Sequence, residues 1–199
     1  MSQADSARCE FWEERYQANA TPWDTHGVPS PTLEFLRQTA LSGSVLIPGC
    51  GPAYEVQAFH DFGWRCLAID FAPTTVQKAQ QRLGPLASCV RQADFFQDDL
   101  GGPFDLIHER TFLCALPISR RADYIKRVAQ LLRRGGHLAG CFYYGEDMDG
   151  PPFPLATAEA LSLFKAHFEL LEDRPIPPAQ SLPTFAGFER WQTWLRKPS

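Results

Sequence analysis

The residues of this chain whose types and spacing first suggest chemistry are Gly49-Cys50-Gly51 and Asp70. The glycines end a short apolar run, Val45-Leu46-Ile47, and the acid ends the next one, Cys66 to Ile69. Glycine has no Cβ, so a ligand can come close to the backbone there, and an acid about 20 residues further on can accept hydrogen bonds from two ribose hydroxyls. Such a pair suits a nucleoside, although an ordinary tight turn and a helix-capping acid would leave the same trace. A dinucleotide would want a third glycine where Tyr54 stands, and Pro52 lacks an N–H that a pyrophosphate would use. A ligand carrying an amino-acid chain in place of phosphates has no such need.

Strands and helices must alternate to bring these groups together. Apolar runs predict strands over Val45–Ile47, Cys66–Ile69, Ala87–Val90, Phe104–Ile107 and His137–Tyr143. Between them the pattern predicts helices over Tyr54–Phe62, Pro73–Leu83 and Arg121–Leu132, the last stopped by Gly135-Gly136. Before them come a short helix over Phe11–Tyr16 and a second that Ser30 caps, Pro31 opens and Ser42-Gly43 stops. After them, Thr157–Ala166 reads as helical, and Phe168–Leu171 and Phe188–Leu195 as strands closing the sheet edge. The alternation implies an α/β fold, a mostly parallel twisted sheet with helices on both faces and a late antiparallel edge strand. Such sheets bind ligands beyond the carboxyl ends of their strands. Those ends carry Gly49 to Tyr54, Asp70-Phe71, Asp94-Phe95-Phe96 and Glu109-Arg110-Thr111. Of Phe95 and Phe96, adjacent in sequence, one is expected to face a ligand and the other to pack inward. Glu109-Arg110 also fits a surface ion pair. The proline-rich stretch Arg174–Pro183 reads as a surface connection and Asp149–Phe153 as a loop.

Composition sets the class. With 199 residues, 44% of them hydrophobic, the chain can build one sizeable core, so residues 1–199 are expected to form one domain. Within it, 1–43 would supply an N-terminal lid and helix and 44–199 the α/β core. A net charge of −4 gives no basic footprint for nucleic acid. No apolar run reaches the roughly 18 residues needed to span a bilayer, and the first eight residues are polar. Six scattered cysteines without C-x-x-C spacing read as small core residues of a cytoplasmic protein. Five dispersed histidines give no local zinc-site spacing, so no metal is expected.

Phe11-Trp12-Glu13-Glu14-Arg15-Tyr16, Thr21-Pro22-Trp23-Asp24, Val45 to Gly51, Ala93-Asp94-Phe95-Phe96 and Phe104-Asp105-Leu106-Ile107 together resemble class I S-adenosylmethionine-dependent methyltransferases. More narrowly, they resemble the thiopurine S-methyltransferase family and its relatives that methylate thiols and halide ions. Thr111-Phe112-Leu113-Cys114-Ala115-Leu116-Pro117 is similar to the thiol and halide branch, whereas Arg110 agrees with the thiopurine branch. The resemblance runs from about Phe11 to Trp194 and implies a Rossmann-like class I methyltransferase with S-adenosylmethionine as cofactor.

It also implies roles. Asp70 would hold the ribose hydroxyls, Gly49 would let the backbone pass the methionine portion, and Asp94 and Phe95 would frame the adenine. Trp12, Tyr16 and Trp23 would form a lid whose aromatic faces stabilise a sulfonium by cation–π contact. Arg110 would lie beside cofactor and substrate and neutralise an anionic nucleophile. No residue is assigned as a catalytic acid or base, because a soft nucleophile needs none. The expected acceptor is a small molecule, a thiol or thiopurine sulfur; halide, hydrosulfide or a selenium or tellurium oxyanion are alternatives, as is a binding module without transfer. A nicotinamide oxidoreductase is the alternative from another class. The expected state is a monomer or weak homodimer.

Overall fold

Val45, Leu46 and Ile47 are buried on both sides of their strand, the condition of a parallel strand covered by helices on two faces. The computed structural model describes residues 5–146, 149–185 and 187–198. Seven strands form one sheet: β1 (Ser44–Pro48), β2 (Arg65–Asp70), β3 (Val90–Gln92), β4 (Phe104–Arg110), β5 (Leu132–Tyr143), β6 (Phe168–Pro175) and β7 (Glu189–Arg196). Their order is β3-β2-β1-β4-β5-β7-β6. β1 to β5 run parallel, and β7 is antiparallel to both β5 and β6. The architecture is the mostly parallel α/β sheet with an antiparallel edge that the alternation predicts.

Alternate strand residues feed two cores. On one face, Leu46, Ile107 and Leu138 pack with helices α5 (Arg121–Leu131) and α6 (Thr157–Phe164) through Tyr124, Ile125, Val128 and Phe164. On the other, Val45, Ile47, Leu106 and Ala139 pack with α2 (Ser30–Gln38), α3 (Tyr54–Asp61) and α4 (Pro73–Leu83) through Leu36, Phe59 and Val76. The first helix, α1 (Cys9–Gln17), lies against α4. β1 pairs with β2 on one side and β4 on the other, so the chain reverses its winding there and a crevice opens at the carboxyl ends. Among the described residues, no helix is long and apolar enough to cross a membrane.

Several boundaries differ from those expected. Pro29, not Ser30, is the N-cap of α2, with Ser30 already helical, and the helix ends at Gln38 rather than Ser42. Residues 84–89 form a 3-10 turn, so β3 starts only at Val90. α5 ends at Leu131 without help from Gly135-Gly136; those glycines lie inside β5, where 133–136 loop out between the pairs Phe104↔Leu132 and Leu106↔His137. The proline-rich stretch is partly strand, since β6 runs to Pro175, and it buries Ile176 and Leu182. Proline is tolerated there because β6 is an edge strand.

A Cβ on Gly140 of β5 would stand 1.8 Å from the Glu109 carbonyl oxygen of β4. Gly140→Ala is therefore expected to destabilise the fold by at least about 3 kcal/mol, read from the urea midpoint at unchanged slope.

Candidate functional site

The carboxyl ends of β1, β2 and β4 and the segment after β3 open into one cavity of about 510 Å³, roofed by α1 and the chain that follows it. Trp12, Tyr16, Trp23, Gly49, Asp70, Asp94 and Phe95 all line it. The volume lies in the range of small-molecule sites.

Asp70 is buried, 6% exposed, at the last position of β2. Its Oδ2 accepts the Gly51 N–H at 3.0 Å and its Oδ1 accepts the Ala72 N–H at 3.0 Å. It therefore closes a tight side-chain turn just ahead of α4, and it also grips the glycine turn. Burial pushes its carboxyl up to about 6, and the N–H donors of Ala72 and Gly51 limit the rise. Asp94 is spent partly on its own loop, with Oδ1 accepting Phe96 N–H at 2.7 Å. Phe95 is 3% exposed and packs edge-on against Phe96 and Phe112. Both Phe95 and Phe96 reach the cavity, Phe95 as part of the core and Phe96 partly buried under the Arg120 guanidinium, 4.1 Å above its ring.

Gly49 has φ +59, and a Cβ there would stand 2.3 Å from the Phe112 ring. Within the protein itself, the backbone is kept bare so that an aromatic ring after β4 can lie on it.

Arg110 stands apart from the main cavity. It borders a smaller one of about 40 Å³ with Gly51, Asp24 and Glu55, which adjoins the main cavity through Tyr16, Trp23, Gly49 and Thr111. Its guanidinium donates to Glu55 Oε1 at 3.3 Å and to the Thr25 hydroxyl at 3.0 Å. The expected Glu109–Arg110 surface pair does not form. Strand alternation sends the two to opposite faces, and Glu109 is buried, 1% exposed, beside Tyr124 of α5.

The roof is tied down by polar contacts. Glu13 of α1 accepts the Thr74 N–H at 3.0 Å and the Thr74 hydroxyl, serving as the side-chain cap that α4 lacks in its own sequence. Lys78 donates to the Tyr16 carbonyl at 3.3 Å and to Asn19 Oδ1 at 3.1 Å. Trp23 meets Trp12 and Tyr16 edge-on, at centroid distances of 5.4 and 6.0 Å. Arg15 and Arg120 also line the cavity, as do Phe112, Pro151, Pro152 and Phe185. Phe112 follows a strand end and could have been found by that rule; the prolines and Phe185 arrive from distant loops and leave no local signal.

The family model for thiopurine S-methyltransferase (TPMT) matches residues 7–197. A probable thiol methyltransferase 2 of Arabidopsis thaliana is 32% identical over 74% of this chain and 68% of its own. A thiopurine S-methyltransferase of Vibrio cholerae serotype O1 (strain M66-2) is 27% identical over 96% of this chain and 98% of its own. Among solved structures, Burkholderia thailandensis 1,6-didemethyltoxoflavin-N1-methyltransferase, with bound 1,6-didemethyltoxoflavin and S-adenosylhomocysteine, has a TM-score of 0.74 over 95% of this chain and 87% of its own. At 19% identity that likeness is one of fold, the Rossmann-like class I methyltransferase fold.

The folded-state pKa of Asp70 lies above its ordinary 3.8, so the stability linked to its proton is complete below 3.8 and is lost as pH rises through about 6. Relative to Asp70→Asn, the ligand-free protein is expected to lose about 3 kcal/mol between pH 3.5 and 7, checked by denaturant unfolding across that range. A flat difference would mean that the carboxyl is not raised.

Proposed function

The chain belongs to the thiopurine S-methyltransferase family, and on that premise we propose that it transfers the methyl group of S-adenosylmethionine to a small soft nucleophile, a thiol or thiopurine sulfur. The observation that carries the reading is a roofed cavity that Gly49 and the buried Asp70 line together with the rings of Trp12, Tyr16, Trp23 and Phe95. When bound, S-adenosylmethionine supplies a methyl already activated by a sulfonium charge. Its fit rests on the chemistry of the lining: a buried carboxylate for a ribose diol, and π faces for a cation without N–H donors.

Asp70 would hold the ribose hydroxyls on the lone pairs that Gly51 and Ala72 leave free. Asp94 and Phe95 would frame the adenine, and Gly49 would meet the methionine portion. Trp12, Tyr16 and Trp23 would close over the sulfonium. Arg110 would sit at the methionine end, and its bond to Thr25 ties the roof to β4 there. These groups align and exclude water; an in-line displacement by a thiolate needs little more. The acceptor would enter past Pro151, Pro152 and Phe185. We place the protein in the cytoplasm, where six unpaired thiols suit a reducing medium, and read it as a monomer or weak homodimer.

Calorimetry with S-adenosylmethionine and S-adenosylhomocysteine is the test: a folded sample that binds neither would overturn the proposal. Asp70→Ala is expected to weaken S-adenosylhomocysteine binding by about 1 to 3 kcal/mol; an unchanged Kd would leave Asp70 a turn-closing residue alone. A panel of aromatic and aliphatic thiols, hydrosulfide, halides and selenium or tellurium oxyanions then separates acceptors. Release of S-adenosylhomocysteine with thiols is the expected outcome, and saturation with cofactor but no release for the whole panel would point to a binding module.

A further inference from the structure

Glu109, at the end of β4, receives three hydrogen bonds on a carboxylate that does not line the cavity. Its Oε1 accepts the backbone N–H groups of Phe112 and Leu113, each at 2.9 Å, and its Oε2 accepts the Tyr124 hydroxyl at 2.6 Å. The two N–H groups stand at the start of the 3-10 turn Leu113–Ala115. The carboxylate thus caps that turn from the preceding strand, as an N-cap side chain does for a helix. The capped segment is a wall of the site: Phe112, Cys114, Leu116 and Pro117 line the cavity, and Phe112 lies on Gly49. It leaves β4 through Thr111 at φ +57, a left-handed conformation that a β-branched residue keeps only when its surroundings impose it. The Cys114 carbonyl in turn accepts the Phe153 N–H at 2.7 Å, so the turn also seats the loop that carries Pro151 and Pro152.

We propose that Glu109 is a positioning residue for the acceptor: its carboxylate fixes the 111–117 segment and, through Cys114, the Pro151-Pro152 loop, so that the acceptor sulfur is aligned on a cofactor held by other groups. The inference rests on the methyltransferase reading above. Glu109 acts from behind the wall. It is not among the described residues that line the main cavity and borders instead a separate void of about 10 Å³ with Leu113, Cys114 and Phe142. Three donors converge on two oxygens, so the ionised form satisfies them all, whereas a proton on Oε1 competes with the amides and one on Oε2 forces the Tyr124 hydroxyl to turn round. Burial pushes the carboxyl up to about 7, against the pull of Tyr124 and the two amides. The titratable groups that face it are the Tyr124 phenol from α5 and the Cys114 thiol from the turn, while the Cys141 thiol of β5 lies on the Arg110 face of the sheet. Burial pushes all three up, away from this range. Charges near these thiols are Arg121 and Glu189, with Arg110 and Glu55 across the sheet.

The test uses Glu109→Gln, which keeps the volume and one acceptor oxygen but cannot ionise, and Glu109→Ala, which removes the cap. The probe is 5-thio-2-nitrobenzoate, an aromatic thiol ionised throughout the range, whose colour is lost on S-methylation. In the wild type, kcat/KM for the probe is expected to rise with pH through about 7. In Glu109→Gln the rise disappears and the plateau falls about tenfold, the effect of weakening a charge-assisted hydrogen bond, while the Kd for S-adenosylhomocysteine changes little. Hydrogen exchange supplies a readout independent of turnover: the Phe112 and Leu113 amides lose protection in Glu109→Ala, which removes their acceptor, while β4 and β5 keep theirs. An equal loss of cofactor affinity and turnover, a wild-type pH rise that survives in Glu109→Gln, or amides that stay protected in Glu109→Ala would each overturn the proposal. A wild type that binds no cofactor defeats the methyltransferase reading instead, and the exchange experiment still decides whether Glu109 holds the wall.

Discussion

The Asp70 carboxylate joins the two backbone turns on which the site is built. One oxygen takes the N–H of Gly51, in the turn after β1, and the other that of Ala72, ahead of α4. The parallel ladder reaches one bond past β1, from the Cys50 N–H to the Ile69 carbonyl at 2.9 Å, and stops short of Gly51 and Ala72. A buried acceptor with two oxygens supplies the missing link. Burial raises the energy of the charge, and the two N–H donors lower it again. The same carboxylate also borders the main cavity.

On the other side of the switch point, Glu109 does for the turn after β4 what Asp70 does for the turn after β1. The two acids differ in what they face. Asp70 borders the main cavity, whereas Glu109 stands behind its wall. Between them lies the contact of Phe112 with Gly49, which locks the β4 turn onto the β1 turn through shape alone. A side chain at position 49 would part the two halves of the site.

The roof is held by a different kind of contact. Glu13, Lys78 and Arg110 reach between the N-terminal segment and α4 or β4, and all three use partly solvated polar groups rather than a packed interface. Such contacts specify position at modest strength. The aromatic set Trp12, Tyr16 and Trp23 meets edge to face and lines the cavity.

The succession of strands and helices along the chain was legible in the sequence because burial on two faces demands continuous apolar strands and one-sided apolar helices, and Val45–Ile47 and Pro73–Leu83 state this locally; the order of the strands in the sheet was not. Helix ends were less legible: Ser30 and Gly135-Gly136 carry the residue types of caps and stops, but the chain used them inside a helix and inside a bulged strand. The gathering of Gly49, Asp70, Asp94 and Phe95 around one cavity follows from the rule that strand ends converge at the switch point, whereas Trp12, Tyr16 and Trp23, ahead of the first strand, were expected there from the family resemblance. Residue type and position after a strand were enough to mark Gly49, Asp70, Asp94 and Phe95 as neighbours at one site. Folding alone turned Arg110 to Glu55 and Thr25, set Glu109 to serve a turn rather than a surface pair, and brought Pro151, Pro152 and Phe185 to the wall. Those choices depend on which face of a strand meets which helix and on loops distant in sequence, and neither is written in any local run of residues.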